Sequence, residues 1–169
     1  MNRFRISSPY DLKINPFQAI GNDWILITAG TPDSFNTMTA AWAGLGVLWK
    51  KPVAWIYIRP QRFTYQFTEK YDDFTLCFFP EKFRDALSFC GTHSGRDTDK
   101  IAATGLEPIA TDKNNIIFAQ ADIALECRKL FYQDVDNSNF LDPAIEKLYP
   151  LKDYHRLYIG EITGCFQKP

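Results

Sequence analysis

The chain has 169 residues, of which 46% are hydrophobic and 23% charged, so a mainly disordered protein is excluded. Lys and Arg number 19 against 20 Asp and Glu, so there is no basic excess to neutralise the phosphates of a nucleic acid. This length predicts one domain over residues 1–169.

Strand signals dominate the first half of the chain. An apolar run at 24–29 is followed by turn residues at 30–33, and further strands are predicted at 38–48, 53–58 and 74–79. The strand at 38–48 is unusual because small residues recur along it, namely Ala40, Ala41, Ala43, Gly44 and Gly46.

Short helices are predicted in the next part of the chain. Pro80 suits the first position of a helix whose apolar residues recur at helical spacing as far as Cys90. Asp97 predicts the N-cap of a second short helix, and Gly105 suits the position that ends it.

The last third of the chain begins and ends with strand patterns. Residues 121–132 alternate, with Ile123 and Leu125 on one face and Asp122 and Glu126 on the other. Residues 141–149 predict a short helix, and 155–166 a last strand with Leu157 and Ile159 on one face and Tyr158 and Ile162 on the other.

These elements together predict a mainly β fold, an antiparallel barrel with short helices in its connections. At least six strands are present, and their alternating polarity disfavours a parallel doubly wound sheet, whose strands are apolar on both faces. The sequence has neither GxGxxG after a strand nor GxxxxGK[ST], so neither a Rossmann dinucleotide site nor a P-loop is supported.

The cysteines and the N-terminal sequence predict a cytoplasmic protein. Four cysteines at 77, 90, 127 and 165 form no CxxC pair, so the pattern suggests neither a zinc site nor a disulfide framework. The first residues lack the apolar core of a signal peptide, and the longest nearly uncharged stretch, 34–49, is too short and polar to span a bilayer. We therefore expect no membrane and no nucleic-acid partner.

The first segment with functional potential is Asn36–Trp42. Two hydroxyls and an amide precede small residues and an indole, and small side chains let a planar ligand approach the backbone. The alternative is a turn that leads into a closely packed strand.

Two further segments are candidate anion sites. Arg59 and Arg62 follow a predicted strand at a helix start, and residues 90–100 combine Gly91, Ser94 and Gly95 with the cations Arg96 and Lys100. The alternatives are a solvated strand end for the first and a capped helix with ordinary surface charges for the second. Two such segments in one small neutral domain favour a phosphorylated ligand with a flat body.

The run NTMTAAWAGLGVLWKKPVAWIYIRPQRFTYQF, followed by FCGTHSGRDTDKIAATGLEP, resembles the flavin reductase-like family, and most closely its flavoredoxin branch. The resemblance extends from Pro16 to the closing HRLYIGEI. It implies an FMN-binding split β-barrel, FMN bound without a covalent bond, and a homodimer in which some residues serve the partner's site.

The resemblance also implies a set of cofactor-binding residues. The ring and ribityl chain would meet Asn36, Thr37, Met38, Thr39, Ala40, Ala41 and Trp42. The phosphate side would meet Arg59, Arg62 and Thr64, together with a second loop that contributes Cys90, Gly91, Ser94, Gly95, Arg96, Asp97 and Lys100. Within that loop Arg96 and Lys100 would hold the phosphate. His155 would lie near the flavin, and Phe166 would cover the ring.

Three functions are compatible with this pattern. The first is an FMN-dependent oxidoreductase that takes electrons from NADH or NADPH, for which no catalytic acid or base in the chain is required. The second is a flavoredoxin-type carrier reduced by a partner protein. The third is a flavin-free barrel that binds another phosphorylated ligand. Exposed aromatic residues such as Trp49, Trp55 and Tyr57 would serve the dimer interface.

Overall fold

The computed structural model describes residues 3–169. Its strands are β1 (Arg5–Ile6), β2 (Ile25–Thr31), β3 (Ser34–Ala40), β4 (Ala43–Leu48), β5 (Lys51–Ile58), β6 (Asp73–Phe78), β7 (Pro108–Ala110), β8 (Ile116–Phe118), β9 (Ile123–Asp134) and β10 (Arg156–Gln167). Its α-helices are α1 (Phe63–Lys70), α2 (Arg84–Thr92) and α3 (Lys100–Thr104). Single turns of 3-10 or π-helix lie at Pro9–Asp11, Phe17–Asn22, Glu81–Phe83, Asn137–Asn139 and Ile145–Leu148.

Eight strands form one antiparallel sheet. Seven of them follow the order β3-β2-β6-β9-β10-β5-β4, and β1 pairs with the C-terminal end of β10. The short strands β7 and β8 make a separate hairpin. The mostly antiparallel β architecture predicted from the alternating segments is confirmed.

The chain itself requires this sheet to curl. Strands β3 and β4 stand at opposite ends of the seven-strand order, yet only Ala41 and Trp42 separate them in sequence. Three Cα steps cover at most about 11 Å, so the two ends of the sheet must lie side by side. The sheet is therefore a barrel with a seam between β3 and β4.

Both faces of the central strands are buried. Ile25 and Ile27 of β2 point into one apolar cluster, which Tyr158 of β10 also joins, while Leu26 points into a second cluster. Leu87 of α2 belongs to the second cluster, so this helix covers the outer face of β2, which would otherwise be exposed to solvent. Period-two alternation is consequently weak in these strands.

The predicted strand at 38–48 proves to be two strands. The chain leaves β3 after Ala40 and enters β4 at Ala43. The glycines of β4 accommodate an indole, because a Cβ on Gly44 would lie 2.2 Å from Cζ2 of Trp55 on the paired strand β5. The small residues of β4 thus allow close packing of this strand against the Trp55 side chain.

Several predicted boundaries need correction. Asp99, and not Asp97, caps α3 by accepting the amides of Ile101 and Ala102, while Gly105 ends the helix with φ of 65° as predicted. Pro80 precedes a 3-10 turn instead of opening an α-helix, and the predicted helix at 141–149 is only the turn Ile145–Leu148.

Two side chains also lie elsewhere than predicted. Glu126 belongs to the face of β9 predicted to be polar, but it is buried and accepts hydrogen bonds from Thr111 and Asn115. Phe166, expected to cover the ring, is buried in the second apolar cluster, so little of its side chain is free to cover a ligand.

The four cysteines are free and buried. In the described part of the chain, no helix is long and apolar enough to cross a bilayer.

Candidate functional site

A cavity of about 230 Å³ opens where the barrel is split, and we call it the seam cavity. The loss of pairing at Ala41 and Trp42 leaves room between the end of β3 and the neighbouring ends of β5 and β10. The cavity is lined by Met38, Thr39, Ala40, Ala41, Trp42, Tyr57, Arg59, Arg62 and His155.

Aromatic rings form one wall of the seam cavity. The ring centroids of Trp42 and His155 lie 4.9 Å apart, and those of Tyr57 and His155 lie 6.3 Å apart. Tyr57 and His155 come close because Leu157 is directly opposite Tyr57 in the pairing of β10 with β5. His155 precedes Leu157 by two positions and therefore lies on the same side of the sheet. Flat apolar surface of this kind suits a planar ligand.

His155 is the titratable group of this wall. It is buried, and its Nδ1 lies 2.9 Å from the hydroxyl oxygen of Tyr149. Burial, with the positive charge of Arg59 as a second cause, lowers the pKa of His155 to about 4. The imidazole is therefore neutral near pH 7.

Arg59 also lines the seam cavity, but its charge is offset. Its Nη1 lies 2.8 Å from Asp153 Oδ2, and its Nη2 donates to the carbonyl of Leu148 at 3.0 Å. The guanidinium thus ties the chain before β10 to the end of β5.

A second cavity, of about 180 Å³, adjoins the first and shares Met38 and Arg62 with it. We call it the cationic cavity. It is lined by Met38, Gln61, Arg62, Phe63, Thr64, Thr92, His93, Ser94, Arg96 and Lys100.

Three cations converge on the cationic cavity. Lys100 is buried, and its ammonium donates to the carbonyls of Thr37 at 2.8 Å and Cys90 at 2.9 Å. Arg62 donates to the carbonyl of Gly91, and Arg96 donates to the carbonyl of Gln61.

Burial changes the acidity of two of these cations. It lowers the pKa of Lys100 to about 8. It also lowers the pKa of Arg62, with the neighbouring Arg59 as a second cause. Among residues 3–169, neither of them nor Arg96 is ion-paired with a carboxylate.

The lining of the cationic cavity fits a phosphate group. It offers two guanidinium groups, an ammonium and three hydroxyls, and it includes no Asp or Glu. A buried cation whose partners are neutral carbonyls favours an anionic ligand. Such a ligand compensates the hydration that the cation loses on burial, because it forms charge-assisted hydrogen bonds with it. The two cavities together therefore fit a flat ring joined to a phosphate.

The other predicted site residues surround these cavities. Asn36, Thr37 and Gly95 line a third cavity, of about 410 Å³, that shares Lys100 with the cationic cavity. Asn36 Nδ2 donates to Thr64 Oγ1 at 2.7 Å, and a Cβ on Gly95 would come within 2.0 Å of Asn36 Oδ1. This contact explains why glycine stands at position 95.

Cys90, Gly91 and Asp97 line none of the three cavities. The Cys90 side chain is fully buried, and burial raises the pKa of its thiol, so its link to the site is the carbonyl that accepts from Lys100. Gly91 likewise contributes the carbonyl that accepts from Arg62.

Six residues near the two cavities were not predicted as site residues, namely Tyr57, Gln61, Phe63, Thr92, His93 and Tyr149. Tyr57 was expected at the dimer interface, but it lines the seam cavity. Tyr57 had a usable signal, because it precedes Arg59 by two positions on a predicted strand and thus shares its face. Tyr149 had none, because its contact with His155 depends on the path of an irregular connection.

Comparisons with known proteins agree with this geometry. The flavin reductase like domain family matches residues 17–169. No curated protein matches the sequence.

Solved structures share the fold at low sequence identity. An FMN-binding domain of a flavin reductases-like enzyme from Shewanella baltica superposes with a TM-score of 0.71 at 17% identity, over 98% of this chain and 77% of that one. A flavoredoxin from Methanosarcina acetivorans gives 0.67 at 18% identity, over 94% and 75% of the two chains. An NADH:FAD oxidoreductase from Streptomyces globisporus gives 0.65 at 16% identity, over 87% and 75%. The match over residues 17–169, on a split antiparallel barrel with this site at its seam, shows that the chain belongs to the flavin reductase-like family.

Proposed function

We propose that this chain binds FMN without a covalent bond, with the ring in the seam cavity and the phosphate in the cationic cavity. The observation that carries the proposal is the junction of the two cavities at Met38 and Arg62. An aromatic-walled cavity lies on one side, and on the other lie three cations that have no carboxylate partner in the described part of the chain. These two environments match the two ends of this cofactor.

The proposed roles follow from the positions of the side chains. Arg62, Arg96 and Lys100 bind the phosphate, while Thr64 and Ser94 add hydroxyl donors. The turn at Ala40 and Ala41 admits the ring to the backbone, and Trp42 and His155 bound it. Asn36, Thr37, Gly91 and Gly95 hold this frame in place.

We infer further that the protein is an oxidoreductase supplied with electrons by NADH or NADPH. Bound FMN would supply the capacity to take up a hydride and release electrons singly or in pairs. The chain would bind and orient the ring and limit its contact with water. An NADH:FAD oxidoreductase among the structures of the same fold supports this source of electrons.

We also propose that the chain is one domain and a cytoplasmic homodimer. Large apolar side chains are exposed, including Trp49 in the turn between β4 and β5 at 54% and Phe131 of β9 at 40% exposure. Trp49 contacts Phe131 with a centroid distance of 6.1 Å, so these residues form one patch of the kind that partner subunits cover. Four free buried cysteines suit a reducing compartment.

An absorption spectrum, recorded before and after anaerobic addition of NADH or NADPH, tests the function. We expect flavin bands that bleach rapidly with one of the two nucleotides. Bands that persist would replace this function with a flavoredoxin-type carrier reduced by a partner protein, a function that the fold shared with a flavoredoxin favours. A protein without flavin bands even after incubation with FMN would contradict the proposal and favour another phosphorylated ligand.

A further inference from the structure

The seam cavity is lined by His155, one ring nitrogen of which is hydrogen-bonded to a tyrosine hydroxyl. His155 Nδ1 lies 2.9 Å from the hydroxyl oxygen of Tyr149, and both side chains are buried. In residues 3–169, no hydrogen bond reaches the other ring nitrogen, Nε2, and this atom is not among the buried atoms without a partner. Nε2 is therefore the polar atom of this ring that remains for the cavity.

The protons of this pair can be assigned by considering which donors are satisfied. The Tyr149 hydroxyl has one hydrogen to donate, and His155 Nδ1 is its hydrogen-bond partner in the described chain. If Nδ1 carried the proton, the buried phenol hydrogen would lack an acceptor, which costs roughly 1–3 kcal/mol. The favoured arrangement has the phenol donating to Nδ1, which leaves the proton of the neutral imidazole on Nε2.

Tyr149 is itself held in position. The guanidinium carbon of Arg59 lies 5.1 Å from the centre of the Tyr149 ring, and Phe140 stacks on that ring with a centroid distance of 6.0 Å. Arg59 also restrains the residue before Tyr149, because it donates a hydrogen bond to the carbonyl of Leu148. Burial raises the pKa of the phenol, so it stays protonated near neutral pH.

We propose that Tyr149 is a positioning residue that fixes His155 in the Nε2–H tautomer and directs this N–H into the seam cavity as a hydrogen-bond donor. The ligand that it suits has a carbonyl oxygen or an unprotonated ring nitrogen at its edge. The assignment of that ligand as a flavin rests on the proposed function. The tautomer and the role of Tyr149 are properties of the protein without ligand.

Long-range ¹H–¹⁵N NMR of the FMN-free protein labelled at histidine nitrogen tests the proposal directly. The chain has 2 histidines, and His93→Gln assigns the remaining signals to His155. At pH 7 we expect Nε2 to be protonated and Nδ1 to show the shift of an unprotonated nitrogen that accepts a hydrogen bond. A wild-type spectrum with the proton on Nδ1 overturns the proposal, and it needs no variant to fold.

Tyr149→Phe then tests the cause. We expect the chemical shifts of the two His155 nitrogens to converge, because the two tautomers exchange once the phenol donor is lost. Tyr154→Phe is the matched control, since Tyr154 lies in the same aromatic cluster but donates to Glu146 instead. Unchanged His155 shifts in Tyr149→Phe, or equal changes in both variants, would overturn the role of Tyr149.

A titration with FMN separates this inference from the proposed function. If the wild type binds FMN, we expect Tyr149→Phe to bind it several-fold more weakly, and Tyr154→Phe to bind it as the wild type does. Equal affinity in all three proteins would refute a donor to the flavin. If the wild type binds no FMN, the proposed function fails, while the NMR result still decides the tautomer.

Discussion

The seam cavity and the cationic cavity share Met38 and Arg62, yet their other charged side chains have different kinds of partner. In the seam cavity, Arg59 is paired with Asp153 and His155 is neutral and bonded to Tyr149. In the cationic cavity, the hydrogen-bond acceptors that Lys100 and Arg62 find within residues 3–169 are all backbone carbonyls. Apart from Arg62, which both cavities share, the cation of the seam cavity is paired with a carboxylate, whereas the cationic cavity retains positive charge.

We propose on this basis that the seam cavity orients the ring of the ligand and that the cationic cavity supplies the affinity for its phosphate. A balanced aromatic wall orients a ring without attracting charge, whereas unpaired cations supply affinity for an anion. Arg59 and Arg62 show this most clearly, because they are three positions apart and look equivalent in the sequence. Only the fold, which brings Asp153 to Arg59 and the Gly91 carbonyl to Arg62, separates their roles.

The largest expected effect compares these two arginines. Arg62→Met should weaken FMN binding about ten- to hundredfold, because a charged hydrogen bond to phosphate contributes roughly 1.5–3 kcal/mol. Arg59→Met should weaken it by about threefold or less, since Asp153 already offsets that charge. Titration by the quenching of flavin fluorescence measures both.

Thermal unfolding supplies the complementary result. Arg59→Met should lower the Tm more than Arg62→Met, because it leaves Asp153 without its cation and frees the Leu148 carbonyl. Arg128→Ala, an exposed arginine away from both cavities, controls for a general loss of positive charge. Equal losses of FMN affinity in the two methionine variants would remove the distinction between the cavities.

A second prediction concerns pH and Lys100. Because the pKa of Lys100 is lowered to about 8, its charge is lost as the pH rises through this value, and FMN affinity should fall. The stability of the FMN-free protein should change in the opposite direction. Between about 8 and the ordinary 10.5, the unfolded chain holds the proton that the folded chain has released, so the free energy of unfolding rises with pH.

Lys100→Met provides the comparison for both trends. The variant should bind FMN weakly at every pH, and the part of each pH dependence that is due to Lys100 should disappear. Parallel curves for the wild type and the variant between pH 7 and 10 would show that this ammonium does not contribute to binding.

The smallest expected effect tests the helix that presents Lys100. Asp99→Ala removes the side chain that caps α3 and should lower the free energy of unfolding by about 1 kcal/mol. Asp97→Ala, two residues earlier, should leave stability nearly unchanged, because Asp97 does not cap the helix. Urea denaturation of the two variants compares them, and the reverse order would restore the sequence-based assignment of the cap.

The sequence was sufficient for the architecture because strands such as β5 and β6 carry dense β-branched and aromatic residues. It was insufficient at the seam, because the small residues at 40–46 continue through a break that depends on barrel closure. The cap at Asp97 failed because Asp97 and Asp99 are chemically equal, and only the path of the loop selects Asp99.

The predicted site divides in the same way. Arg62, Arg96 and Lys100 were recognisable because cations beside glycine and hydroxyl residues are a local pattern. The neutralisation of Arg59 and the bond between Tyr149 and His155 were not, since both partners come from the irregular chain before β10. A side chain supplied by such a connection leaves no periodic signal.

The most direct measurement compares the affinities of the wild-type protein for FMN and for riboflavin, which lacks the phosphate. If unpaired cations in the cationic cavity bind the phosphate while the seam cavity binds the ring, FMN should bind about a hundredfold more tightly, or roughly 2.7 kcal/mol. Equal affinities for the two flavins, or binding of neither, would contradict the division of the site into two cavities with separate roles.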